Sequence, residues 1–303
     1  VRVLITGGRG FLGRAVTADL IARGHGVTVL SHTAGGDGTV LGDLRDRERL
    51  TEVIAQVKPE IVCHLAALTN PRDSFANPLT YFDVNVGGTL NLLHALAAAG
   101  EPARIVFTST SAVYGSARPG HLSEDMVPSP ESPYAVSKVT AEQLLASYVG
   151  TGAIGATSLR CFNIAGAVSG FGDPDPTRII SAALRAAAGV IPHVSVNGDG
   201  SAVREFTHVL DVAAAVGLAA ESSSIGDSRV LNVGTGNGIT MMEVIRAAEK
   251  VTGREIAVVH RPPAREPHTL IADGRRVREV LGWEAQRSSI EEIVADSWAA
   301  LGA

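Results

Sequence analysis

Short apolar runs rich in Val, Ile and Leu recur along the chain, each followed by a longer stretch with helical character. The strand-like runs are Val1–Thr6, Val27–Leu30, Glu60–Leu65, Arg104–Thr110 and Ala156–Phe162. Between them lie helix-like stretches such as Phe11–Arg23, Asp73–Ala99 and Pro133–Val149. The runs are continuously apolar, as strands are when both faces are covered. That predicts an α/β fold, a parallel sheet with helices on both faces. After Asn163 the pattern loosens. Gly and Pro cluster between Gly166 and Pro176, and a helix is expected near Arg178–Ala188. Val209–Ala220 and Val230–Val233 read as a helix and a strand that return to the sheet, and Met241–Val251 and Ser289–Leu301 as two further helices. The expected organisation is a large domain, residues 1–162 with about 204–234, and a smaller C-terminal lobe from residues 163–203 and 235–303.

The first strand runs into Thr6-Gly7-Gly8-Arg9-Gly10-Phe11-Leu12-Gly13. Gly7 can make a tight turn, Gly10 lets the backbone approach a pyrophosphate, and Gly13 lets the helix pack closely on the sheet. The helix start then offers N–H groups and a positive dipole end to the anion. A glycine pattern alone is a weak signal. Its place between a first strand and an apolar helix makes it a dinucleotide fingerprint and the large domain Rossmann-type. Such a site usually carries an Asp or Glu about 20 residues on, at the end of the second strand, for the ribose hydroxyls. Here Leu30 leads into Ser31-His32-Thr33 and no acid is present. Asp43, in Gly42-Asp43-Leu44, reads either as a helix cap or as a contact to the adenine amino group.

Composition narrows the partners. Net charge is −5 and no Lys/Arg run stands out, which argues against nucleic acid. Hydrophobic residues make up 45% of the chain, which suits a well-buried core. Cys63 and Cys161 lie in apolar runs and read as buried free thiols; neither disulfide nor metal-site spacing is present. Val1–Thr6 reads as a strand and not a signal peptide, and no apolar run is long enough to span a membrane. A cytoplasmic enzyme is expected.

Tyr134 and Lys138 lie four apart on a helix opened by Pro133, so they share one face. A free tyrosine, with a pKa of about 10, is too weakly acidic to serve as a base at neutral pH, and lowering it to about 7 takes roughly 4 kcal/mol. A neighbouring ammonium favours the phenolate, and a positively charged nicotinamide ring would add to it. The spacing alone occurs often by chance. It gains weight from Thr108-Ser109-Thr110-Ser111-Ala112-Val113-Tyr114-Gly115, which follows a strand. A hydroxyl at a strand's carboxyl end faces the cofactor crevice, where Thr110 can bond a substrate hydroxyl and relay its proton to Tyr134.

These motifs, in this order, resemble the extended short-chain dehydrogenase/reductases, most closely the UDP-glucose (galactose) 4-epimerase-like branch. The resemblance runs almost end to end. It includes His64–Ala67, Asn85–Thr89, Arg160–Asn163, Asp199–Phe206, His208–Asp211, Asn232–Gly236 and Leu281–Trp283. It implies that Gly7, Gly10, Phe11, Leu12, Gly13, Ser31, His32, Asp43, Leu44, Leu65, Ala66 and Ala67 line the cofactor, with Phe162 at the nicotinamide end. Thr110, Tyr134 and Lys138 would be catalytic. Asn163 and Arg204 would hold the diphosphate of a sugar nucleotide, with Arg178, Ile179, Ser195, Val196 and Asn197 along the nucleotide. A homodimer through a helix bundle is also implied.

Three positions depart from the pattern. Ser31 replaces the ribose-binding Asp, Thr69 stands where the epimerases often have a Lys, and Pro263 falls where an Arg is expected. Arg261 or Arg265 can substitute for that Arg, with Glu266 completing the segment. After Thr110 come Ser111 and Ala112, without the acids that related dehydratases and decarboxylases place there. One proton relay and one hydride carrier suit reversible oxidation at a single carbon. The expected activity is therefore an NAD-dependent sugar-nucleotide 4-epimerase, which retains its cofactor. An NADPH-dependent 4-ketoreductase and a non-catalytic NAD(P)-binding regulator are the alternatives. The missing acid at Ser31 leaves NADP open, although only His32 and Arg9 offer basic charge nearby.

Overall fold

The structure is a computed structural model, and it describes residues 1–33, 35–116, 120–263 and 268–302. The main sheet contains β1 (Arg2–Thr6), β2 (Gly26–Ser31), β3 (Thr39–Leu41), β4 (Ile61–His64), β5 (Ala103–Thr110) and β6 (Ile154–Cys161). Their spatial order is β3-β2-β1-β4-β5-β6, with a seventh strand, Ser228–Val233, beside β6. β1 pairs in parallel with both β2 and β4, so the strand order reverses there. Beyond the carboxyl ends of strands at such a reversal lies the crevice where doubly wound folds bind ligands. Val3, Leu4 and Ile5 of β1 are all fully buried, and so are Ile61, Val62 and Cys63 of β4. Covering both faces removes any need for alternation, which is why these strands read as continuous apolar runs.

The helices α1 (Phe11–Ala22), α2 (Arg47–Val57), α3 (Pro71–Ala76), α4 (Pro78–Tyr81), α5 (Gly88–Ala99) and α6 (Pro133–Val149) accompany these strands. The stretch Asp73–Ala99, expected as one helix, is α3, α4, a π-helical turn over Phe82–Gly87, and α5. Pro78 forces the break. It disfavours helical geometry in the residue before it, and Asn77 sits at φ −128°. The short edge strand β3 was not expected, because three residues are too few to show a pattern.

The chain divides into two compact units. The first contains residues 1–115, 127–160 and 213–231; the second contains 116–126, 161–212 and 232–303. The second has its own core, in which Ile180, Leu184, Val196, Val244, Ile245 and Ile293 are buried together. Its strands are short. Val194–Asn197 pairs in parallel with Val258–Arg261, and Phe206–His208 pairs in parallel with Asn163–Ala165. Among the described residues, no helix is long and apolar enough to cross a membrane.

Candidate active site

At the end of β1 the backbone turns at Gly7, whose φ is +74°. A Cβ on Gly7 would lie 2.7 Å from the Ala66 nitrogen, and one on Gly13 would lie 2.1 Å from the Gly7 carbonyl oxygen. The packing of the protein itself demands these two glycines. Gly10 is different. It caps the N-terminus of α1 at an ordinary φ of −71°, and a Cβ there would meet only the Gly7 oxygen, at 3.3 Å. Its lack of a side chain makes sense if a dinucleotide pyrophosphate comes up against the backbone. The first turn of α1, opened by Phe11 and Leu12, holds no acidic residue that would compete for the helix dipole.

Ser31 ends β2 with its side chain turned to Thr33. Its Oγ accepts from the Thr33 N–H at 3.2 Å and lies 3.2 Å from the Thr33 hydroxyl. His32 beside it is exposed. Asp43 is gripped by Arg45, with the guanidinium 3.0 and 2.7 Å from the two carboxylate oxygens. These bonds hold the Asp43 carboxyl down at about 2. The cap of α2 is Asp46 and not Asp43. Leu44 is buried in the core against Gly88.

A hydrogen-bonded chain links the end of β1 to the helix that carries Tyr134. The Thr6 Oγ1 accepts from the Ala66 N–H at 3.2 Å and lies 2.8 Å from His64 Nδ1. On the other side, His64 Nε2 lies 3.0 Å from the Thr89 Oγ1, and the Thr89 hydroxyl donates to the Asn85 carbonyl at 2.6 Å. Since Thr89 gives its proton to that carbonyl, the imidazole must donate from Nε2 and accept at Nδ1. Burial, reinforced by the charge of Lys138, pushes the His64 pKa down to about 3, so the ring is neutral. Asn85 continues the chain. Its Oδ1 accepts from the Leu68 N–H at 2.8 Å, and its Nδ2 donates to the Leu68 carbonyl at 3.0 Å and to the Ser137 Oγ at 2.9 Å. Ser137 in turn donates to the Tyr134 carbonyl at 2.7 Å. Leu65–Ala67 therefore lie on a loop fixed at both ends, by Thr6 and by Asn85.

Ser132 caps α6, accepting from the Ala135 N–H at 3.2 Å, and Pro133 fills the first turn. Tyr134 and Lys138 are 7% and 3% exposed, which does not fit a chance surface pair. The Tyr134 ring packs edge-on against Tyr81, with centroids 6.3 Å apart, and the Lys138 ammonium lies 4.3 Å from the centre of the Phe107 ring. One turn further along the same face, Glu142 pairs with Arg160 at 2.7 Å, and Arg160 donates to the Tyr114 hydroxyl at 3.0 Å. Arg160, on β6, thereby links α6 to the turn that follows Thr110. Thr110 ends β5 and its Oγ1 accepts from the Ala112 N–H at 3.2 Å, leaving the hydroxyl proton to be donated elsewhere. Ser109, just before it, is 5% exposed, and its Oγ has no hydrogen-bond partner among the described residues. A buried orphan hydroxyl is uncommon.

The second unit carries the residues expected at the nucleotide. Phe162 is buried, and its N–H donates to the Val233 carbonyl at 3.2 Å. Asn163 is exposed and its Nδ2 donates to the Glu205 carbonyl at 2.8 Å. Arg204 donates to the carbonyls of Val203 and His268 at 2.8 and 3.3 Å. Arg178 immediately precedes the helix Ile179–Ala187 and pairs with Asp173 at 2.9 Å. Ile179 opens that helix and packs on the second core. Ser195, Val196 and Asn197 lie on one strand, with Asn197 opposite Arg261; Val196 points into the core. Glu266 and Arg265 lie outside the described residues. The sequence analysis assigns no role to His64, Asn85, Ser137 or Glu205, although all four stand inside motifs that it singles out. Their signal was a polar residue placed where apolar neighbours predict burial.

Comparison with known proteins agrees with this architecture. Residues 3–234 match the NAD dependent epimerase/dehydratase family. A UDP-glucose 4-epimerase of Rhizobium leguminosarum bv. trifolii is 37% identical, over 98% of this chain and 96% of that protein. A UDP-glucose 4-epimerase of Stenotrophomonas maltophila, solved with NAD and formylated UDP-arabinopyranose, superimposes with a TM-score of 0.92 at 32% identity, covering 99% of this chain and 97% of that one. MoeE5, solved with UDP-glucuronic acid and NAD, gives a TM-score of 0.89 at 32% identity, covering 100% and 99% of the two chains.

Proposed function

We propose that this chain, which belongs to the NAD dependent epimerase/dehydratase family, is a sugar-nucleotide 4-epimerase acting on a UDP-hexose, working as a cytoplasmic homodimer. The observation that carries the reading is the buried pair Tyr134 and Lys138, one helical turn apart, on a helix tied through Ser137 and Asn85 to the loop after β4. Bound NAD supplies the hydride acceptor for transient oxidation at C4 and the donor for its return to the opposite face. Tyr134, as phenolate, takes the proton of the C4 hydroxyl, with Thr110 as the relay, and gives it back when the alcohol re-forms. Lys138 favours the phenolate by its charge. Phe162 is assigned to the nicotinamide end. Asn163 and Arg204 are assigned to the diphosphate, to which a guanidinium can offer two parallel bonds. Arg178, Ile179, Ser195–Asn197 and Arg261 are assigned to the rest of the nucleotide, and Glu266 to the same segment. Ser111 and Ala112 follow Thr110 on a 3-10 turn, so no carboxylate stands there to drive elimination of water.

One observation favours a second reading. Ser31 leaves the ribose position without a carboxylate, which suits an NADPH-dependent 4-ketoreductase. Incubation with UDP-hexoses and with nucleotide 4-keto-6-deoxyhexoses, the latter in the presence of NADPH and all resolved by NMR, tests the two against each other. The epimerase gives an equilibrium mixture of C4 epimers with no added cofactor. A single reduced product formed with stoichiometric NADPH oxidation would replace the first reading by the second.

A further inference from the structure

Glu205 is fully buried in the second unit, yet its carboxylate is paired with no cation among the described residues. It is held by backbone. The N–H groups of Thr235 and Gly236 donate to it at 2.9 and 3.2 Å, and that of Ala272 at 2.8 Å. The three donors come from two loops that are far apart in sequence. Gly234 makes room for the grip, since a Cβ there would lie within the radius of a Glu205 oxygen. Burial raises the Glu205 pKa to about 7, against the three N–H donors, which favour the anion. Glu205 also anchors in the other direction: its carbonyl accepts from the Asn163 carboxamide at 2.8 Å. Arg204, its neighbour in the chain, takes its backbone course from the same segment. Both groups assigned above to the diphosphate are therefore attached to this one residue, one through a hydrogen bond and one through a peptide bond.

We propose that Glu205 is the positioning residue of the diphosphate site: its three-point grip on the loops at Thr235–Gly236 and Ala272 fixes the segment that presents Arg204 and Asn163 to a nucleoside diphosphate. This rests on the proposed function. A buried carboxylate is costly, and a packing role would be filled as well by an apolar side chain. What an apolar side chain cannot do is lock two loops to one strand in a single register. A glutamine has the same shape, but its NH₂ turns donors toward donors and breaks part of the grip.

The test uses the full chain. UDP affinity is measured by calorimetry for wild type, Glu205→Gln, Arg204→Ala and the double variant, with bound NAD and thermal midpoint recorded for each. Glu205→Gln is expected to weaken UDP about tenfold or more while retaining NAD, and to raise KM for the UDP-sugar more than it lowers kcat. The double variant is expected to lose less than the sum of the two single losses, because Glu205 acts in part through Arg204. Glu205→Asp, which keeps the anionic acceptor, is expected to recover most of the affinity. UDP affinity of Glu205→Gln within twofold of wild type, fully additive losses, or no recovery by Glu205→Asp would each overturn the proposal. Should Glu205→Gln fail to fold, wild type carries the test. UDP is then expected to slow amide exchange at Thr235, Gly236 and Ala272 about tenfold more than at Ile293 in the same unit, and equal slowing overturns it. If Arg204→Ala leaves UDP affinity untouched, the assignment of the diphosphate site itself fails, whatever Glu205 does.

Discussion

Asn85 and Ser137, 52 positions apart, meet side chain to side chain, with Asn85 Nδ2 2.9 Å from Ser137 Oγ. The same carboxamide closes two bonds on the backbone of Leu68, so one residue in the π-helical turn fixes both the loop after β4 and the first turn of α6. Irregular turns of this kind are frequently found at functional sites.

Replacing Asn85 by Ala leaves the Leu68 N–H and C=O without partners. Leu68 is half-buried, so water can replace part of this bonding and the cost is about 1 kcal/mol, the lower end of the range for a buried group left unsatisfied. We expect urea unfolding to show a loss of at least that size, and turnover to fall further than the remaining folded fraction explains. Wild-type stability together with wild-type turnover would show that the link has no role.

His64 makes stability depend on pH. Its folded pKa is held near 3, whereas an unfolded histidine titrates near 6.5. Between those values the unfolded chain binds a proton that the folded chain refuses, so stability falls as pH drops from about 6.5 toward 3. The slope from this group approaches roughly 1.4 kcal/mol per pH unit. Chemical denaturation across that window, compared with His64→Gln, measures it; identical slopes in the two proteins would refute the assignment.

The glycines of the first turn separate folding from cofactor binding. Gly13→Ala sets a methyl against backbone atoms at 2.1 and 2.6 Å and should destabilise by about 1–3 kcal/mol or more. Gly10→Ala meets only one oxygen, at 3.3 Å, and should change stability by about 1 kcal/mol or less while markedly weakening NAD. Thermal midpoints and NAD titration of both variants decide it. Equal NAD affinity in Gly10→Ala and wild type would remove the pyrophosphate from this turn.

The sequence made the parallel sheet, the glycine turn and the Tyr134–Lys138 face legible because each is a short-range pattern: an apolar run, a glycine spacing, a four-residue step. Pro78 marks the break in the sequence, but the apolar helical character on both sides of it outweighs that single residue in a pattern reading. What stayed hidden depends on distance. Nothing near Asn85 says that it will reach Leu68 and Ser137, and nothing near Glu205 names the amides of residues 235, 236 and 272. Arg45 taking hold of Asp43 is only two residues away, but it rests on side-chain rotamers that no spacing rule fixes.

Tyr134→Phe should leave the fold and bound NAD intact, because the ring keeps its edge contact with Tyr81 and only the hydroxyl is lost. A general acid–base group contributes about 10²–10⁴-fold, so turnover should fall by that order. The released dinucleotide and the rate on the UDP-sugar are measured on one preparation. Activity above about half of wild type would assign the proton transfer to another group.

With Ser31 assigned to the ribose end of the cofactor, its side chain is expected to set how strongly NAD is distinguished from NADP. At the end of β2 a carboxylate would accept the ribose hydroxyls and repel a 2′-phosphate. Here the position holds a neutral hydroxyl, 8% exposed, with its oxygen already engaged by the Thr33 N–H. The wild type therefore lacks the repulsive half of the discrimination and has to prefer NAD by fit alone. Two like charges about 4 Å apart repel by roughly 1 kcal/mol in water and about 4 kcal/mol near a protein surface. Ser31→Asp brings that term back and should raise the ratio of NAD to NADP affinity by about tenfold or more, equal to about 1.4 kcal/mol. Both dinucleotides are titrated into the apo form of each protein by intrinsic fluorescence. The effect should shrink only modestly as salt is raised, because Ser31 is buried and a buried charge pair is screened much less than an exposed one. An unchanged ratio at low salt would mean that the 2′ position does not face Ser31, and the second strand would then no longer mark the ribose site.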